Sequence, residues 1–172
     1  MAILKVSIPL AKAELMAARI AEALNPFCAR LEIAGSIRRR RPCVGDIDLV
    51  AECKDFAGLR ARARQNASIV LDGEQNFIVR LISGLEVNVF VAQPERRDLL
   101  SVSPSNWGCI LLSRTGSREH NRWLCVRAQE RGLHWNPYRG VLRGDALIAS
   151  ASEAEIFQAL DLDFIKPEDR ER

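Results

Sequence analysis

Two aspartates two positions apart, Asp46 and Asp48, lie in the segment Asp46-Ile-Asp-Leu-Val-Ala, which reads as a strand with alternating faces. That spacing turns both carboxylates to one face. Carboxylates so close repel, and a divalent cation removes the repulsion. Hard oxygen ligands suit Mg²⁺, which takes one or two carboxylates together with substrate phosphates. Ten positions before Asp46, Gly35-Ser36 offers exposed backbone N–H and a hydroxyl, and Arg38 and Arg39 follow at once. Arginine forks hold phosphate oxygens two at a time. A metal clamp and a cationic cradle around a triphosphate are what phosphoryl transfer requires. An Asp-x-Asp pair alone is more often a solvated or capping pair, and Gly-Ser alone is weaker still. The combination of Gly-Ser-x-Arg-Arg, five residues, then Gly45-Asp-x-Asp in a strand is specific.

The elements that must carry these residues follow from periodicity. Residues 9–25 read as an amphipathic helix, with Pro9 near its start, Leu10, Leu15, Ile20 and Leu24 at near-helical spacing, and Asn25-Pro26 at its end. Leu31–Ala34 is a short strand broken by Gly35-Ser36. Residues 55–66 look helical. Strands are expected at 67–71, 76–82 and 85–92, the last two joined by a hairpin turn at Ser83-Gly84. Leu85, Val87, Val89 and Val91 alternate onto a core face, leaving Glu86, Asn88 and Phe90 on the other. Polar Pro94–Asp98 breaks the pattern, which places a domain boundary at about 95–104. Two helices are expected at 105–113 and 117–131, the second capped by Gly132, then short strands over 133–149. Ser152-x-x-Glu155 opens a last helix to about Leu160. The fold class is α+β: a mixed sheet flanked by helices over residues 1–100, plus a small α+β subdomain over 101–172.

Composition excludes other classes. With 172 residues, 48% hydrophobic and 27% charged, the chain is neither a disordered polymer nor a coiled-coil rod. Its apolar runs fall far short of a bilayer span, and Met1–Val6 shows no signal-peptide pattern. Five cysteines without a Cys-x-x-Cys spacing, and two histidines, argue against structural zinc. Free thiols and a cytosolic protein are expected. The net charge of +3 conceals a division: residues 101–143 carry +5 and residues 144–172 carry −5. Arg38–Arg41, Arg60/Arg62/Arg64 and the 114–143 stretch suit a polyanion such as nucleic acid. For Arg60/Arg62/Arg64 alone a solvated surface is the better reading.

The block Gly35-Ser36-x-Arg38-Arg39 followed by Gly45-Asp46-x-Asp48 resembles the nucleotidyltransferase palm signature in the form used by family X DNA polymerases, the polymerase beta-like enzymes. Asn106-Trp107-Gly108, Thr115-Gly116-Ser117-Arg118-Glu119-His120-Asn121, Arg131-Gly132-Leu133, Asn136-x-Tyr138 and the closing Ile165-Lys-Pro-Glu-Asp-Arg-Glu resemble that family's nucleotide-selecting subdomain, so the resemblance runs from about Ile8 onward. It implies a palm over 1–100 and a nucleotide-selecting subdomain over 101–172. It also implies that Ser36 and Arg39, beside Gly35 and Gly45, bind the triphosphate. Gly116, Ser117 and Asn121 would lie against the nascent base pair, and two Mg²⁺ (or Mn²⁺) ions would serve the reaction.

Four departures qualify that expectation. The family's third aspartate falls on Asn88, a neutral amide that brings no charge and cannot act as a base, which leaves the catalytic metal under-ligated. Glu86, on the same face, is a candidate substitute, although a surface carboxylate at a strand edge is its simpler reading. Ser113-Arg114 replaces the family's Tyr-Phe, whose bulk excludes the ribose 2′-hydroxyl. Cys125 replaces an arginine that reaches the template strand. The family's lyase and helix-hairpin-helix parts have no counterpart in this sequence, which resembles the minimal viral form.

The implied activity is a template-directed DNA nucleotidyltransferase that fills gapped or nicked DNA, using dNTP and Mg²⁺ as a monomer without membrane association. Its site comprises Asp46, Asp48 and Asn88 for metal and catalysis, and Gly35, Ser36, Arg39, Gly45, Ser113, Gly116, Ser117 and Asn121 for the nucleotide. Alternatives are a nucleotidyltransferase acting on RNA or protein, and a catalytically weak DNA- or nucleotide-binding protein.

Overall fold

The structure is a computed structural model that describes residues 6–99 and 102–171. The sequence reading of the amino terminus therefore falls mostly outside the described residues, as do Leu100 and Ser101 within the expected domain boundary. The fold is α+β, with a mixed sheet flanked by helices. The chain divides into two compact units, Met1–Val91 and Ala92–Arg172.

The first unit runs β1 (Ile8–Pro9), α1 (Leu10–Leu24), β2 (Cys28–Ile33), α2 (Gly35–Arg38), β3 (Cys43–Val44), β4 (Asp46–Cys53), α3 (Phe56–Ala63), β5 (Ala67–Asp72), β6 (Asn76–Leu81) and β7 (Glu86–Ala92). Its five-stranded sheet has the order β2-β4-β7-β6-β5. The first helix forms because Ala13, Ala17, Ile20 and Leu24 recur at three- and four-residue spacing, which gives one apolar stripe for the core. Small alanines at two of those positions let the helix lie close to the sheet. On β4, Ile47 and Leu49 are fully buried between half-buried Asp46 and Asp48. On β7, Val87 and Val89 are buried between half-buried Glu86 and Asn88. The alternation fails at the end of β7, where Val91 is half-exposed and Ala92 is buried, so Val91 does not continue the core face.

Local chemistry sets the element ends. Asp55 caps α3 by accepting the Gly58 amide at 2.9 Å. The β6–β7 turn spans residues 82–85, with Gly84 at φ +83. Two pairings escape the sequence pattern because they are two residues long: β1 with β3, and, in the second unit, β8 (Arg96–Arg97) with β9 (Val102–Ser103). The second of these lies in the polar stretch expected to be irregular. Arg60 and Arg64 both close on Asp72, the latter at 2.6 Å, and Arg62 donates to Gln65 at 3.0 Å. That cluster is an internal ion-pair network on the surface.

The second unit continues with α4 (Trp107–Thr115), α5 (Arg118–Glu130), a three-stranded antiparallel sheet of β10 (His134–Asn136), β11 (Gly140–Arg143) and β12 (Ala146–Ala149), and α6 (Glu153–Ala159). Its core gathers Cys109, Leu112, Leu124, Ala128, Trp135, Val141 and Phe157, with others. Gly132, at φ +66, ends α5 in a Schellman motif: Leu133 N–H donates to Ala128 C=O and Gly132 N–H to Gln129 C=O. Ser152 caps α6 by accepting the Glu155 amide. All five cysteines are free thiols, and no helix among the described residues is long and apolar enough to cross a membrane.

Gly108 lies where α4 meets the Ser152 backbone; a Cβ there would stand 2.2 Å from Ser152 C and 2.3 Å from its Cα. Backbone cannot give way as a flexible side chain does. Gly108→Ala is expected to destabilise the protein by about 3 kcal/mol, the upper part of the range for overpacked cores. Chemical denaturation measures it, and a loss under about 0.5 kcal/mol, the scale of an ordinary surface change, would show that the contact is not tight.

Candidate active site

Asp46 and Asp48 project from the face of β4 opposite Ile47 and Leu49, as the strand alternation requires. Strand β7 is hydrogen-bonded beside β4 and brings Asn88 to the same place. Asn88 Nδ2 donates to Asp48 Oδ1 at 2.8 Å, which joins residues forty positions apart in sequence. The amide therefore meets the carboxylate as a donor. Glu86 does not substitute for the missing charge. It pairs across the sheet with Arg80 on β6, whose Nη2 donates to Oε1 at 2.7 Å.

The other oxygen of Asp48 is enclosed by α2. The Ala34 amide donates to the Asp48 carbonyl at 2.8 Å, which holds the entry of α2 against β4. Gly35 follows at φ +61, and a Cβ built on it would fall 2.0 Å from Asp48 Oδ2. Only glycine permits both that conformation and that approach. The sequence reading of Gly35-Ser36 as exposed needs correcting: Gly35 is buried, and the Ser36 hydroxyl oxygen is buried with no hydrogen-bond partner among the described residues. The Arg41 amide donates to the Ser36 carbonyl at 3.0 Å and folds the arginine run back over α2. Arg39 sits half-buried at the end of α2, and Gly45 is half-buried just ahead of β4.

The other residues expected to meet the nucleotide lie in the second unit, at the α4–α5 junction. Ser113 turns its hydroxyl inward and donates to Ile110 O at 3.0 Å. Asn121 Nδ2 donates to Ser113 O at 2.7 Å, while its Oδ1 is buried and has no partner among the described residues. Gly116 provides the turn, at φ +72. Ser117 is buried; its hydroxyl donates to Arg170 O at 2.7 Å and accepts the His120 amide at 3.2 Å. Its hydrogen is thus committed to the protein, and it caps α5. Cys125 is half-buried and packs on the second core. Beside Ser113, Arg114 Nη2 donates to Tyr138 Oη at 2.6 Å and stacks over its ring. Neither that pair nor the Arg170–Ser117 contact was legible in the sequence, because each joins positions with no spacing signal.

Residues 110–171 match the DNA polymerase beta thumb family. The chain resembles the polymerase beta-like enzymes of family X. A 56-residue stretch, 33% of this chain, is 38% identical to DNA polymerase IV of Saccharomyces cerevisiae, and it spans only 10% of that protein. Among solved structures, Leishmania infantum polymerase beta, determined as a ternary P/T complex, superposes with a TM-score of 0.74 at 18% identity, covering 97% of this chain and 77% of that one. That last likeness is one of fold.

The donor set has a consequence for stability. In Asn88→Asp a second carboxylate would stand where the amide now donates to Asp48 at 2.8 Å. Two such groups cannot both ionise without a cation or a shared proton. The variant is expected to be less stable than the parent at neutral pH without metal, by about 1–3 kcal/mol for the lost hydrogen bond and the added repulsion. Its stability should fall as pH rises through the raised carboxyl pKa, and Mg²⁺ should restore it. Thermal denaturation across pH, with and without Mg²⁺, tests this; equal melting of both proteins in chelator would refute the juxtaposition.

Proposed function

We propose that this protein is a DNA polymerase-type nucleotidyltransferase that adds a dNTP to a primer 3′-hydroxyl in gapped or nicked DNA. The observation that carries the reading is the cluster of Asp46, Asp48 and Asn88 on two adjacent strands, with Gly35 packed on Asp48 and the hydroxyl of the next residue, Ser36, buried without a partner among the described residues. A buried hydroxyl without a partner costs free energy, and a triphosphate oxygen would supply the missing acceptor. The residues fit a bound metal: Asp46 and Asp48 give two hard oxygen donors, the set that Mg²⁺ uses together with nucleotide phosphates. Among the described residues no group of three or more His, Cys, Asp or Glu side chains is placed to hold a metal ion. The donors therefore favour one nucleotide-bound ion, with the second of the two expected ions lacking a carboxylate at Asn88.

In this reading the first unit is the palm and the second the nucleotide-selecting subdomain. Ser36 donates to the triphosphate and Arg39 offsets its charge. Asp46 and Asp48 would hold Mg²⁺, whose charge would offset that of the phosphates. The 3′-oxygen forms a bond to the α-phosphorus, the bond to the β-phosphate oxygen breaks, and pyrophosphate leaves. Asn88 cannot take the hydroxyl proton, because an amide is not a base at neutral pH, so the proton passes to solvent and turnover is slow. Asn121, held by Ser113 and with a side-chain oxygen that has no partner among the described residues, would face the nascent base pair. A cytosolic monomer with free thiols accords with this role. The Asn88–Asp48 bond also favours a second reading, a protein that binds dNTP and DNA without turnover.

Extension of a one-nucleotide gap separates the two. Asn88→Asp should raise the rate about a hundred- to a thousandfold, the scale of a single group that stabilises charge in the transition state. An unchanged, already fast rate would mean that another group completes the site, and no extension by either form would leave the binding-only reading.

Ser36→Ala should leave folding stability equal or slightly higher, since it removes an unsatisfied hydroxyl. It should weaken dNTP binding about ten- to a hundredfold, the worth of a hydrogen bond to a charged group. Calorimetric titration with a dNTP reads the second effect; unaltered affinity would separate Ser36 from the triphosphate.

A further inference from the structure

Arg170 heads the fully buried side chains among the described residues, at 0% exposure. A guanidinium out of water must have its donors satisfied. Here Nη1 donates to Glu153 Oε1 at 2.7 Å, and Nε and Nη2 both donate to Ile165 O, at 2.9 and 2.8 Å. Its plane lies over Phe157 and Phe164. Glu153 is itself buried at the first turn of α6. The side chain thus fastens the segment Ile165–Glu171 to the start of α6. An aliphatic residue could fill this volume at no desolvation cost, so packing alone does not explain the charge.

The main chain of the same residue explains it. Arg170 O receives two hydrogen bonds from Ser117, one from Oγ at 2.7 Å and one from N at 3.3 Å. Ser117 accepts the His120 amide on its hydroxyl and the Asn121 amide, at 2.9 Å, on its carbonyl. Asn121 then closes back on Ser113. A continuous chain of bonds therefore leads from Glu153 through Arg170 and Ser117 into the first turn of α5, and it ends at Asn121. Among the described residues Arg170 O is the acceptor for the Ser117 hydroxyl, so the place of the turn depends on the place of Arg170 O.

We propose that Arg170 is a positioning residue: its buried ion pair fixes the carbonyl that sets Ser117, and through it the orientation of Asn121 and the selection of the incoming nucleotide. The link to nucleotide selection rests on the polymerase reading above; the link to Ser117 does not.

The test uses the full chain as Arg170→Met and Arg170→Lys, with Ile156→Val as a control that loosens the same core elsewhere. Two quantities are read: amide hydrogen exchange at Ser117 relative to Val141, and the ratio of correct to mismatched insertion in a one-nucleotide gap. In Arg170→Met, Ser117 protection should fall about tenfold more than that of Val141, a local opening distinct from global destabilisation. Arg170→Lys should fall between it and the parent, and the insertion ratio should drop about tenfold with Ser117 protection. Ile156→Val should change neither. Equal loss of protection at Ser117 and Val141 in the Arg170 variants would make the role purely structural and overturn the proposal. So would an insertion ratio that holds while Ser117 opens. If Arg170→Met does not fold, Arg170→Lys decides. If the parent protein inserts no nucleotide, the polymerase reading fails, and the exchange result alone decides whether Arg170 sets Ser117.

Discussion

The site depends on how one carboxylate is held. Asp48 offers one oxygen to the Asn88 amide and rests the other against the α-carbon of Gly35. Each contact imposes a demand on the fold. The first needs β4 and β7 side by side although α3, β5 and β6 intervene in sequence, and the strand order β2-β4-β7-β6-β5 provides that. The second needs a residue without Cβ at a positive φ, directly where the chain leaves β2. The buried rows Ile47/Leu49 and Val87/Val89 then fix which face each strand presents. A one-residue slip of either strand would turn its polar set into the core.

This arrangement also fixes the electrostatics. An amide that donates to Asp48 neutralises none of its charge. Asp46 and Asp48 remain two carboxylates on one face, and the other acid on β7, Glu86, is already bound to Arg80. In the proposed reading, two carboxylates, a neutral third member and a buried hydroxyl without a partner among the described residues would suit a nucleotide with its cation better than the ionisation of a primer hydroxyl.

Much of this was legible in the sequence because it rests on short-range rules. The shared face of Asp46 and Asp48, the outward face of Glu86 and Asn88, the Ser152 cap and the Gly132 helix stop all follow from periods of two or from capping chemistry within a few residues. What was not legible is pairing across the chain. Nothing in the spacing announces that Asn88 donates to Asp48, that Arg80 claims Glu86, or that Arg170 reaches back to Ser117. Ser117 is instructive. Its place in Thr-Gly-Ser at the start of a helix is visible in the sequence, but not that its hydroxyl both caps that helix and ties it to a segment fifty-three residues away. Burial of a polar group is a tertiary property, and a pattern of neighbours does not contain it.

The central claim is that Asn88 leaves this site with donors for a single nucleotide-bound cation. Crystals of the protein grown with Mn²⁺ and a non-hydrolysable dNTP analogue would show this directly by anomalous scattering. The account predicts one manganese peak, between the phosphates and Asp46 and Asp48, with the Asn88 amide still donating to Asp48. A second peak ligated by Asp46 or Asp48 together with the Asn88 carbonyl oxygen would contradict it.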